Sequence, residues 1–183
     1  PVVSVILDGE NAWESYPYNG FYFLNDLYSL LDEHPYIRTT TYRDYIADPG
    51  NLSNIATLPT LTAGSWVYGT FSTWIGDREK NYAWDLLCAA KQSFDRVMQS
   101  DRLTTEEKAE ARRQLASCES SDWFWWFGDY NPAHSVASFD QLYRQNLMNL
   151  YRMLKLPIPA EIFESISKGS ASNEDNSTMR RSS

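Results

Sequence analysis

The sequence is poor in the residues that most often announce a reactive site. Its 183 residues include two histidines and two cysteines. His34 and His134 lie far apart with no zinc-type spacing, so each reads as an ordinary loop or surface histidine. Cys88 and Cys118 fall in helix-like segments without metal spacing and read as free thiols. There is no GxSxG elbow, no phosphate-cradling glycine loop, no dinucleotide fingerprint and no HExxH helix. Nucleophilic serine chemistry and metal-dependent hydrolysis are therefore poor readings, and neither a metal nor another cofactor is expected. No apolar run reaches ~18 residues, so no membrane span is expected. Basic residues are the minority, 16 Lys and Arg against 24 Asp and Glu. A phosphate backbone calls for a basic face, which argues against a nucleic-acid partner and fits a neutral ligand such as a sugar.

What the chain has in abundance is aromatic. Aromatics make up 15% of it, with seven tryptophans, three of them in the stretch Trp123-Phe124-Trp125-Trp126-Phe127. Tryptophan is large and seldom fully buried. Such a cluster is either a plug in a core or a stacking wall, and the apolar C–H face of a sugar ring suits an indole. The hydrophobic fraction of 43% is enough for a folded domain.

The chain opens on PVVSVILDGENAWE. Val2–Leu7 is continuously apolar or small and reads as a fully buried strand. It runs directly into Asp8-Gly9-Glu10-Asn11, and sites in parallel-sheet folds gather at the carboxyl ends of strands. The start is abrupt, as for the later part of a larger protein. A helix is expected over Phe21–Glu33, a short β-prone run over Tyr36–Thr41 and a short helix over Tyr42–Ala47. From Asp48 to Asp77, glycines and prolines break any period, and a long irregular stretch of this kind is usually functional. Three long helices follow. The first runs from about Arg78 to Ser100. The second follows the capping pair Thr104 and Glu107. The third starts at Ser138, with Gln141 as its capping partner, and carries the stripe Phe139, Tyr143, Leu147, Leu150 and Leu154. The expected class is mostly α with a small α/β part. The expected domains are 1–77, an α/β portion with a substrate loop; 78–166, a helical bundle; and 167–183, a disordered tail.

Asp8, Glu10 and Glu14 share one loop after the apolar run. Asp-Gly is also a common turn signal, so Asp8 as a simple turn cap is an equal reading of the pattern alone. Trp13, Trp66, Trp74, Asp77, Asp122 and Trp123 also lie in loops or at helix ends. Acids beside exposed indoles suit a glycosidase, in which two carboxyl groups flank the scissile bond.

Three motifs then carry a resemblance. VILDGENAWESY (5–16), GSWVYGTFSTWIGDREKNYAWDLL (64–87) and SSDWFWWFGD (120–129) resemble, in order, conserved regions of glycoside hydrolase family 57, and FDQLYRQNLMNLYRMLKLPIP (139–159) is similar to its closing helix. The resemblance implies the last strands of a seven-stranded (β/α) barrel followed by a three-helix bundle, and retaining cleavage or transfer of α-glucosidic bonds. It implies Asp8 as the general acid/base, with Glu10 and Trp13 shaping its surroundings. Trp66, Trp74, Asp122 and Trp123 match positions that bind substrate. The family's regions bearing the histidine and the nucleophilic glutamate have no counterpart among these residues. The expectation is a part of such an enzyme, inactive alone, whose partners are an α-glucan or oligosaccharide and the absent N-terminal portion of the barrel. A non-catalytic carbohydrate-binding module and a helical interaction module stay open as alternatives. A cytoplasmic location is expected, with secretion left open by the abrupt start.

Overall fold

The computed structural model describes residues 2–7, 13–53 and 55–170. It divides into two compact units, Pro1–Leu61 and Thr62–Ser183.

In the first unit, helix α1 spans Phe21–Glu33 and α2 spans Tyr42–Ala47, both where the apolar spacing puts them. Helix α3, Pro49–Leu52, adds one turn inside the stretch expected to be irregular. Asp48 caps it, accepting the Gly50 N–H at 2.9 Å, and Pro49 supplies the fixed φ suited to a first helical position. The strand readings are not met. Among the described residues there is no strand, and Val2, Val3, Val5, Ile6 and Leu7 are all exposed. A buried parallel strand needs neighbours to pair with and layers to cover it. The described residues contain no second strand for Val2–Leu7. The Tyr36–Thr41 run also stays unpaired, and its last residue serves the next helix: Thr41 Oγ1 accepts the Asp44 N–H at 3.1 Å. Among the described residues of this unit only Gly20 is buried. Tyr18, Phe21, Tyr22, Phe23, Tyr28 and Leu30 are exposed, so the described residues of this unit form no core of their own.

The second unit is helical and well packed. Helix α4 spans Arg78–Met98, α5 Thr105–Cys118, α6 Asp122–Trp126 and α7 Ala133–Met153. Their buried faces form one core, with Leu87, Phe94, Leu115, Phe124, Phe127, Leu147, Leu150 and Leu154 among its members. Each large apolar side chain so buried contributes about 1.5–3 kcal/mol of transfer free energy. The Thr104–Glu107 capping box is complete, with reciprocal bonds of 3.2 and 2.8 Å. Helix α7 starts five residues before Ser138, the expected cap. Ser138 instead sits inside the helix and returns its hydroxyl to the His134 carbonyl at 3.0 Å. Pro132 occupies the cap position, and its φ of −60° leads the chain into the helix.

Residues 167–170, read from sequence as the beginning of a loose tail, are held in place. Ser167 is buried, and its N–H, like that of Ile166, donates to Asp140 Oδ1. Its hydroxyl bonds the Glu79 carboxylate and accepts the Gly128 N–H. Ser170 forms a parallel bridge to Pro132. The rest of the expected tail, 171–183, lies outside the described residues.

Cys118 is fully buried on α5, and burial pushes its thiol up to about 12, whereas Cys88 is exposed. The thiolate is the reactive form. At pH 8 a disulfide reagent should therefore titrate one thiol in the native protein and the second only on unfolding. Two fast-reacting thiols would mean that this face of α5 is open.

Candidate aromatic site

Helix α6 is short and almost entirely aromatic. At about 100° per residue, Trp125 points about 200° away from Trp123. The helix therefore divides its rings between two sides. Trp123 and Trp126 turn to α7: Trp126 stacks on Phe139 at 4.7 Å between centroids, and Trp123 lies tilted over Tyr143 at 5.8 Å. Phe124 is fully buried, stacked on Trp84 at 3.9 Å and 7°. Tyr143 lies beneath them, also fully buried, with its hydroxyl donating to the Ala83 carbonyl at 2.7 Å. That burial raises its phenol above the ordinary range.

Trp125 turns the other way. Trp66 stacks on it at 5.9 Å and 18°, and Trp74 meets it at 5.7 Å and 53°. Trp66 is 77% exposed, so the pair presents an open indole face. Trp74 is partly buried and packs against the core. Its indole N–H is buried without an acceptor among the described residues. Its carbonyl accepts the Trp84 N–H at 3.0 Å, which ties the loop to α4.

The loop that carries Trp66 is closed on itself by the Ser65 side chain. Ser65 Oγ bonds the Val67 N–H at 3.2 Å and the carbonyls of Val67 and Thr70. Tyr68 takes φ +53° and Gly69 φ +67°. A left-handed tyrosine is uncommon, and such strain tends to persist at functional sites. Val67 is buried beneath the turn and leaves Trp66 outside. Gly64 permits the closure, because a Cβ there would lie 2.6 Å from the Gly69 carbonyl oxygen.

The expected site residues thus separate. Trp66 and Trp74 share one wall. Trp123 faces the helices, with its N–H donating to the Ser117 carbonyl at 2.9 Å. Asp122 is exposed in the first turn of α6, where a carboxylate suits the helix dipole. Asp77 caps α4, accepting the Glu79 N–H at 2.8 Å and the Lys80 N–H at 3.4 Å. Trp13, in the first unit, is also left-handed at φ +56° and packs over Gly20. Asp8 and Glu10 lie outside the described residues. Trp125 is the wall residue that the sequence motif does not single out. The helical phase within 122–126 is the signal that separates it from its neighbours.

No group of three metal-ligating side chains occurs among the described residues. Nor is any described helix long and apolar enough to cross a membrane.

Residues 1–57 match the family model of glycosyl hydrolase family 57. The matched span holds the DGENAW sequence, α1, α2 and α3, and ends before the Trp66 loop. The resemblance drawn from VILDGENAWESY is thus met over the N-terminal end of the chain. No curated protein and no solved structure matches.

Gly64→Ala should force the 64–69 turn open and cost about 1–3 kcal/mol, as overpacking against backbone does. It should also weaken the near-ultraviolet circular dichroism of the Trp66–Trp125 pair. An unchanged melting temperature and spectrum would contradict this closure.

Proposed function

We propose that this chain is part of a retaining, α-glucan-active glycoside hydrolase or transglycosylase. In this reading the first unit carries the acid/base Asp8, and the second unit a glucan-stacking surface. The observation that carries the reading is the family 57 match over residues 1–57, the span that contains Asp8. Asp8 would protonate the leaving glycosidic oxygen, then take a proton from water or an acceptor sugar. Glu10 and Trp13 would shape its surroundings.

Retention needs a second carboxyl group about 5–5.5 Å away, on the opposite side of the scissile bond. Glu10 is only two residues from Asp8 in the sequence and would approach from the same side. The nucleophilic glutamate is therefore assigned to polypeptide outside these 183 residues. The exposed apolar run Val2–Leu7 and the lack of a core among the described residues of the first unit support a partner of that kind, because paired strands would cover both.

A carbohydrate-binding role without catalysis is the second reading, favoured by one observation. Trp66 is largely exposed yet backed in parallel by Trp125, the arrangement of a stacking platform rather than a core. Asp122 is proposed as a polar group beside substrate, and Trp123 as support for α6.

The 183-residue chain should be retarded in an amylose gel and should release no reducing sugar from amylose. Trp66→Ala should relieve the retardation, since loss of one stacked ring costs about 0.5–1.5 kcal/mol, several-fold in affinity. Reducing sugar released by this chain would overturn the assignment of the nucleophile elsewhere. Absence of retardation would overturn the glucan reading of the second unit.

A further inference from the structure

Lys80 is fully buried, 0% exposed, in the first turn of α4. Taking an ammonium out of water costs several kcal/mol unless its donors are satisfied. An ammonium carries three donors, and three oxygens from separate places meet this one. They are the carbonyl of Thr73, the carbonyl of Phe124 and the hydroxyl of Tyr130. Thr73 immediately precedes Trp74, and Phe124 immediately precedes Trp125. A single side chain thus holds the peptide groups before both indoles.

The surroundings show why a cation suits this position. Helix α6 has five residues, so the carbonyls at its end have no partners within it. Each is met from outside: Phe124 by Lys80, Trp125 by the Tyr130 hydroxyl at 3.0 Å and Asn131 Nδ2 at 3.1 Å, and Trp126 by Asn131 Nδ2 at 2.8 Å. Positive charge is favoured at a helix C-terminus. The ammonium also lies 4.8 Å from the centre of the Tyr130 ring. Gly128 leaves the room this needs, since a Cβ there would meet the Tyr130 ring at 2.8 Å and Lys80 Cε at 3.6 Å. An apolar side chain could fill the same volume, but it could not join the two carbonyls.

We propose that Lys80 is a positioning residue for the aromatic wall: by bonding the Thr73 and Phe124 carbonyls together it sets the interval between Trp74 and Trp125, and so the face offered to a ligand. The clamp stands on hydrogen bonds alone. Only the identity of the ligand, an α-glucan, rests on the functional reading above.

The test begins with the unmodified chain. With 15N-labelled lysine, Lys80 should give an ammonium signal that exchanges slowly with water near pH 7, with through-hydrogen-bond couplings to the carbonyl carbons of Thr73 and Phe124. The exposed lysines should give no such signal. Lys80→Met should keep the far-ultraviolet helix signal. It should shift the indole N–H resonances of Trp74 and Trp125, leave those of Trp123 and Trp126 in place, and weaken maltoheptaose binding about tenfold, equal to about 1.4 kcal/mol. Tyr130→Phe retains both carbonyl bonds and should move the same two indoles less, with a smaller loss of affinity. A fast-exchanging Lys80 ammonium, or a Lys80→Met variant with unchanged indoles, would overturn the proposal. If Lys80→Met does not fold, the ammonium signal and the Tyr130→Phe shifts decide the matter. If the wild-type chain binds no maltoheptaose, the glucan reading fails, and the ammonium and indole signals still judge the clamp.

Discussion

A five-residue helix has no interior. Every carbonyl in the last turn of α6 must find its partner elsewhere, and every ring it carries must be placed on one side or the other. In this chain both demands are met together. The Phe127 N–H takes the Trp123 carbonyl, and Lys80, Tyr130 and Asn131 take the three that follow. The core of α4, α5 and α7 takes Phe124 and Phe127, while Trp123 and Trp126 lie against α7. Trp125 then has one direction left, toward the loop that carries Trp66 and Trp74. The wall follows from how a short helix is terminated.

The two units differ in what they can sustain alone. The second has a shared core, a complete capping box and a C-terminal strap fixed through Asp140, whose other oxygen holds Arg144 at 2.8 Å. The first has regular helices but no buried side chain among its described residues. Helices of 13 and 6 residues without tertiary packing are marginal in water. Yet the family match falls on this unit, over residues 1–57. The part that carries the family match is thus the part with the least buried surface among its described residues. That is why the proposed activity is assigned to a larger assembly.

Much of the helical frame was legible in the sequence, because it rests on local rules. The α1 period, the Thr104–Glu107 box and the Tyr143–Leu154 stripe each express one physical demand within a few residues. What was not legible has tertiary causes. Val2–Leu7 has the composition of a buried strand, but pairing is a property of neighbours, not of composition. Ser138 and Gln141 imitate a cap inside a helix whose real start is set by Pro132. Trp123 and Trp125 cannot be told apart by residue type; only the turn of α6 separates the ring facing the helices from the ring in the wall. Lys80 looks like a surface residue in the string DREKN, and the partners that bury it lie up to 50 residues away.

The most direct measurement is a maltoheptaose titration followed on the seven indole N–H resonances. The account predicts that Trp66, Trp74 and Trp125 shift together with one dissociation constant, while Trp84, Trp123 and Trp126 stay still. Shifts confined to Trp123 and Trp126, or none at saturating sugar, would contradict it.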